Sequence, residues 1–178
     1  MKILLVDDHA LIRDALRGIV KELAPDAAVL EAADSRQAMH LVKANPDLHL
    51  ILLDLNLPDR DGFSVLVDLR SHYGTISCVV LSASQDRGTI VKAMDLGVLG
   101  FIPKSSPREV MVHALRLIFA GGIYIPPEAQ VVGASADHLE RLCRGVRDGG
   151  RNELVRFFGL QRYPSVWGAV IGDQALQR

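Results

Sequence analysis

The chain has 178 residues, 49% of them apolar and 23% charged, with a formal net charge of −1. This length and composition exclude wholesale disorder and leave enough apolar side chain to bury a core. The near-zero net charge excludes a global basic field of the kind that binds nucleic acid by charge alone.

Residues 3–6 form a short apolar run that ends in Asp7 and Asp8, the pattern of a buried parallel strand. That run is too short for a secretory signal, and no stretch is apolar for long enough to span a bilayer. The expected compartment is the cytoplasm. Over residues 10–23, Leu11, Ile12, Ala15, Leu16, Ile19, Val20 and Leu23 recur at helical spacing, and Pro25 closes the helix. Residues 27–32 read as a second strand. Asp34 and Gln37 then make a capping box for a helix that runs to about Ala44, before Asn45-Pro46.

Residues 48–53 are the most apolar strand candidate and lead into Asp54. A loop at 58–62, Pro58-Asp59-Arg60-Asp61-Gly62, precedes an amphipathic helix at 63–69. Residues 76–81 form a fourth strand in which Cys78 reads as a small core residue. A helix at 85–96 stops at Gly97, and residues 98–102 form the fifth strand. The last helix of the series starts with Ser106 at the N-cap, Pro107 at N1 and Glu109 at N3, and it ends at Gly121-Gly122. Cys143 and Cys78 show no C-x-x-C spacing, so neither a disulfide framework nor a thiolate metal site is expected.

Five strands alternating with five helices predict an α/β domain with a five-stranded parallel sheet, doubly wound by right-handed crossovers. In open parallel sheets, function lies at the carboxyl ends of the strands. Applied here, the rule gathers Asp7 and Asp8 after strand one, Asp54 after strand three, Ser82 after strand four and Lys104 after strand five. Three close carboxylates repel one another, and a divalent cation resolves the conflict. Oxygen ligands on a shallow site suit Mg²⁺, which keeps several waters and shares its shell with phosphate. A carboxylate facing an ammonium and a hydroxyl suggests a phosphoryl acceptor, with Lys104 and Ser82 holding the phosphoryl oxygens. Taken singly, each residue has a plainer reading: Asp7-Asp8 as a helix-start anion, Lys104 as a surface lysine, Ser82 as a loop hydroxyl. His9 reads as a helix-start residue. The joint pattern carries the argument.

Leu4-Leu5-Val6-Asp7-Asp8-His9, Leu52-Leu53-Asp54-Leu55-Asn56-Leu57-Pro58, Leu81-Ser82-Ala83 and Phe101-Ile102-Pro103-Lys104 resemble the receiver domain of two-component response regulators. The resemblance implies a flavodoxin-like fold and a Mg²⁺ site of Asp7, Asp8 and Asp54 completed by the Asn56 backbone carbonyl. It implies Asp54 as phospho-acceptor, Lys104 as the phosphate-binding amine, Ser82 as switch hydroxyl and Phe101 as switch aromatic. A sensor histidine kinase would be the donor. On phosphorylation Ser82 would be drawn in and Phe101 would follow inward, changing a surface around helix four, strand five and helix five. Such a chain is a switch rather than a dedicated enzyme, and members of the class often dimerise when phosphorylated. Two other classes fit less well. A haloacid-dehalogenase phosphatase needs a second acid two residues after its nucleophile, where this chain has Asn56. A flavodoxin-like nucleotide binder needs a phosphate cradle where Asp7 and Asp8 would repel phosphate.

Ala120-Gly121-Gly122-Ile123-Tyr124-Ile125-Pro126-Pro127 resembles the receiver-to-linker junction of the NarL/FixJ class, whose second domain is a LuxR-type helix-turn-helix. The domain reading is a receiver at 1–122, a linker at 123–136 and a short, mainly helical tail at 137–178. Residues 138–160 loosely match the first two helices of such a module. The pattern then breaks at 161–168, where Pro164 and Gly168 stand in place of a recognition helix. A degenerate module, a shortened one and a tail altered by a shifted reading frame all fit. DNA binding and an output through protein contacts, with Leu154, Phe157, Phe158 and Trp167 packing on the receiver or a partner, both stay open.

Overall fold

The computed structural model describes residues 1–127. The expectations for the linker beyond Pro127, for the helix-turn-helix and for the packing of Leu154, Phe157, Phe158 and Trp167 lie outside those residues. The described chain runs β1 (Lys2–Val6), α1 (Ala10–Leu23), β2 (Ala28–Ala32), α2 (Ser35–Ala44), β3 (Leu50–Asp54), α3 (Gly62–His72), β4 (Ser77–Ser82), α4 (Arg87–Asp95), β5 (Gly100–Pro103) and α5 (Arg108–Phe119). All strand pairs are parallel, in the order β2-β1-β3-β4-β5. The expected doubly wound five-stranded sheet is therefore present. The strand order reverses between β1 and β3, which makes the carboxyl ends of those two strands the switch point.

Strand periodicity explains how one sheet serves two cores. Successive side chains point to opposite faces. Leu4, Val6, Ile51, Leu53, Cys78, Val80 and Phe101 pack on one face, with Val42 of α2, Leu66 of α3 and Ile90 of α4. Ile3, Leu5, Leu50, Leu52, Val79, Leu81 and Ile102 pack on the other, with Ile19 of α1 and Leu115 of α5. The central strand β3 is buried along its whole length, so it reads as a continuous apolar run rather than an alternation.

Capping explains where the helices start. Asp34 accepts from the Gln37 N–H at 2.8 Å, as the sequence predicts, and the Gln37 side chain reaches back to the Ala33 N–H at 3.2 Å. Asp61 caps α3 by accepting from the Ser64 N–H at 3.1 Å, and Asp86 caps α4 by accepting from Thr89 at 2.9 Å. The fifth helix departs from expectation. Pro107, not Ser106, holds the N-cap position, and no side chain caps this end. The Ser106 N–H instead donates to the Pro103 carbonyl, closing a turn, and the Pro107 carbonyl accepts from Val110 and Met111 to begin the helix one residue late.

After α5, Gly121 takes a left-handed φ of 86°, and the chain folds back along the free edge of β5. There Tyr124 donates to the Leu99 carbonyl at 3.0 Å and accepts from the Phe101 N–H at 3.2 Å, a short parallel pairing. The first linker residues thus cover an edge that would otherwise present unpaired backbone groups.

Candidate functional site

The strand ends bring the predicted acids together. Asp7 directly follows β1 and its N–H extends the pairing to β2, donating to the Ala32 carbonyl at 3.1 Å. Asp54 is the last residue of β3, one residue further into the strand than the sequence suggests. Both carboxylates are fully buried, whereas the Asp8 side chain is about one-third exposed. Lys104 follows β5, where its N–H donates to the Ser82 carbonyl at 2.7 Å and continues the β4–β5 ladder.

The Lys104 ammonium lies 2.6 Å from Asp54 Oδ2 and 2.7 Å from Asp7 Oδ2, bridging the two buried acids. Burial alone would lower the Lys104 pKa, but the hydrogen bonds and charges of Asp54 and Asp7 outweigh it and hold the pKa above its ordinary value. The other Asp54 oxygen, Oδ1, accepts from the Asn56 N–H at 3.0 Å. Asn56 therefore sits beside the acceptor, at the start of the β3–α3 loop.

Ser82 closes β4 and is fully buried, its hydroxyl accepting from the Ser84 N–H at 3.1 Å. Phe101 is fully buried in the core shared by α2, α3 and α4.

Two residues join the site that strand-end reasoning did not place there. His9 Nδ1 lies 2.6 Å from Asp8 Oδ1 and 3.2 Å from Asp7 Oδ1, and the His9 N–H donates to Asp7 Oδ1 at 2.8 Å. Its adjacency to Asp8 was the available signal. Asp59, in the loop after β3, accepts from the N–H and hydroxyl of Ser35 at 3.0 and 2.8 Å and from the Arg36 N–H at 3.3 Å. Those hydrogen bonds, led by the one from the Ser35 N–H, hold the Asp59 carboxyl below its ordinary pKa. This tie pins the loop that carries Asn56 to the start of α2. The sequence carries no local signal for it, because the partners are 24 residues apart.

The donor set fits a hard divalent cation. Asp7, Asp8, His9 and Asp54 each offer a ligand atom, all within 4.8 Å of one another. Asp7 Oδ2 is buried with no hydrogen bond aligned on it, although Lys104 Nζ stands in ion-pair range. Three carboxylates against one ammonium leave two negative charges, the charge a divalent ion would balance.

Comparison with known proteins agrees with this geometry. The family described as the response regulator receiver domain matches residues 3–116. The glycerol metabolism activator of Pseudomonas putida is 42% identical over 127 residues, covering 71% of this chain and 58% of that protein. The nitrate/nitrite response regulator NarL of Escherichia coli K12 is 36% identical over 121 residues, covering 67% and 55%. The chain therefore spans little more than half the length of these relatives. Among solved structures, a LuxR-family two-component response regulator from Aurantimonas sp. SI85-9A1 is 29% identical with a TM-score of 0.65, covering 72% of this chain and 91% of that one. A LuxR-family DNA-binding response regulator from Silicibacter pomeroyi is 30% identical with a TM-score of 0.62, covering 71% and 98%. The chain belongs to the response regulator receiver domain family, in its NarL/LuxR class.

Proposed function

We propose that this chain is the receiving partner of a two-component phosphorelay, taking a phosphoryl group from a sensor histidine kinase onto Asp54. The observation that carries the reading is the buried Asp54 carboxylate held 2.6 Å from Lys104 among two further acids. In the transfer, an Asp54 oxygen bonds to phosphorus, the phosphorus–nitrogen bond to the donor histidine breaks, and its electron pair returns to the imidazole nitrogen. Lys104 is positioned to move from the acids onto the new phosphoryl oxygens, and Ser82 to donate its hydroxyl to them. Mg²⁺, held by Asp7, Asp8, Asp54 and the Asn56 carbonyl, would supply positive charge against the phosphoryl oxygens. Hydrolysis of the acyl phosphate restores the carboxylate, so the chain is a self-resetting switch rather than a dedicated enzyme.

The output reading is transcription regulation in the cytoplasm, supported by the NarL and LuxR-family relatives. The break in the helix-turn-helix pattern at 161–168 favours a second reading, in which the switched surface acts through protein contacts, including a homodimer, without sequence-specific DNA binding. The input chemistry is tested with radiolabelled acetyl phosphate and Mg²⁺. Label is expected on the wild type and not on Asp54→Asn, and equal labelling of both would overturn the assignment.

A further inference from the structure

We propose that Asp59 is a positioning residue for phosphoryl transfer, acting through the loop between β3 and α3 rather than on the reacting atoms. The proposal rests on reading Asp54 as the phosphoryl acceptor and adds the device that holds the acceptor loop still.

The start of α2 has two carboxylate caps with separate tasks. A helix leaves its first N–H groups without partners in its own turn. Asp34 takes the Gln37 N–H at 2.8 Å, the local solution. The N–H groups of Ser35 and Arg36 go instead to Asp59, at 3.0 and 3.3 Å. The Ser35 hydroxyl donates to Asp59 as well, at 2.8 Å. Ser35 is only 4% exposed, so losing Asp59 strips two buried donors of the acceptor they use. Asp34 already caps the helix locally. What Asp59 adds is a fixed point for its own loop.

That loop stands beside the acceptor. Asp59 lies five residues after Asp54. Between them the Asn56 N–H donates to Asp54 Oδ1 at 3.0 Å. Asn56 also pairs with Asp61, and the Gly62 N–H closes the base of the loop on the Leu55 carbonyl at 3.0 Å. On the α3 side, Arg60 reaches Asp68 at 2.7 Å. Asp59 is the tie on the α2 side. With both sides held, Asn56 keeps Asp54 Oδ1 while Lys104 keeps Oδ2 at 2.6 Å, and the plane of the carboxylate is set. A nucleophile misplaced by about 1 Å can lose roughly a hundredfold in rate. Cutting the tie frees the loop, so transfer slows although every reacting group remains.

The test uses the full chain at saturating Mg²⁺, with radiolabelled acetyl phosphate as donor. Asp59→Asn and Ser35→Ala cut the tie from opposite sides. Asp34→Ala removes the local cap of the same helix and leaves the tie. The maximal labelling rate should fall roughly tenfold in Asp59→Asn and less in Ser35→Ala. The acetyl phosphate concentration giving half that rate should not change, the mark of an effect on orientation rather than on binding. The double variant should be no slower than Asp59→Asn, because both changes cut one tie. The amide resonance of Asn56 should shift in both and hold in Asp34→Ala. That last variant should lower the urea midpoint and still label at the wild-type rate.

Equal slowing in Asp34→Ala and Asp59→Asn would mean that a frayed α2 is enough, and would overturn the proposal. So would a wild-type rate in Asp59→Asn, or additive slowing in the double variant. If Asp59→Asn does not fold, Ser35→Ala decides: a wild-type rate with an unmoved Asn56 amide removes the role of the tie. Asp54→Asn runs alongside. Label lost there but kept at the wild-type rate in Asp59→Asn leaves the acceptor standing and removes only Asp59. Label kept in Asp54→Asn overturns both.

Discussion

At the scale of single residues, two buried carboxylates share one ammonium, and that imbalance dominates the behaviour of the site. Removing Lys104 leaves Asp7 and Asp54 buried with like charge and no counter-ion. Breaking a buried pair in this way costs about 3–5 kcal/mol. Lys104→Met should lower stability by that order in cation-free buffer, as measured by urea denaturation, and Mg²⁺ should restore part of the loss. The Lys104 pKa is raised in the fold, so its contribution is complete below its unfolded pKa and disappears as pH rises through the folded value. Cys78 titrates in a lower window. Burial pushes its thiol from 9.0 up to about 11, so the unfolded chain ionises first. Stability should fall as pH rises from about 9 to 11, by roughly 2–3 kcal/mol at 1.36 kcal/mol per pKa unit. Urea midpoints across that range should show the slope in wild type and a flatter one in Cys78→Ala. The residues most legible in the sequence were those at strand ends. Asp7, Asp54 and Lys104 meet because parallel strands deliver whatever follows them to one edge, a property of topology that needs no side-chain detail. The tie from Asp59 to Ser35 was not legible, because its partners lie 24 residues apart and meet only when the loop after β3 folds against the start of α2.

At the scale of elements, periodicity placed every strand and helix, and the misses fall at their boundaries. Helix α3 begins at Gly62 and runs to His72, earlier and further than its apolar pattern, because Asp61 supplies a cap. The fifth helix begins late because a turn closed by the Ser106 N–H and the Pro103 carbonyl takes up the residue expected to cap it. The β3–α3 loop is the element on which the acceptor most depends. Its Gly62 N–H donates to the Leu55 carbonyl at 3.0 Å, bringing the helix start onto the backbone beside Asp54. A Cβ at Gly62 would lie 2.7 Å from Leu55 O and 2.8 Å from Asp54 O, both backbone atoms that cannot swing aside. Gly62→Ala must therefore push the loop outward. We expect a loss of about 1–3 kcal/mol in urea denaturation, the usual cost of overpacking, and slower labelling of Asp54 by acetyl phosphate. Gly18 is the control, since a Cβ there meets nothing within 4 Å. Gly18→Ala should label at the wild-type rate and gain a few tenths of a kcal/mol, because Ala is the better helix former.

At the scale of the whole molecule, β5 joins the phosphoryl site to the segment that leads out of the domain. Lys104 stands just beyond its carboxyl end, and Tyr124 pairs with its Gly100. Three strand residues, Phe101, Ile102 and Pro103, thus separate Lys104, whose ammonium holds Asp54, from Gly100, which pairs with the linker. Gly100 permits the pairing, because a Cβ there would stand 3.0 Å from Ile118 Cδ1 and 3.2 Å from Tyr124 O. The Ile118 tip can give, but the Tyr124 carbonyl accepts from the Phe101 N–H and can retreat only by lengthening that bond. Gly100→Val should release the linker from the edge strand while leaving the strand ends in place. Hydrogen exchange reads the result amide by amide. The Phe101 N–H, which donates to Tyr124 O, should exchange faster. The Lys104 N–H, which donates to Ser82 O inside the sheet, should keep its wild-type rate, and Asp54 labelling should persist. Equal acceleration at Phe101 and Lys104 would mean that β5 itself had loosened and that the linker is no separate element. If acceleration is confined to Phe101, adding Mg²⁺ and beryllofluoride to the wild type gives the converse measurement. A change of exchange at Phe101 and Tyr124 that Gly100→Val abolishes would place β5 between the acceptor and the chain that follows it.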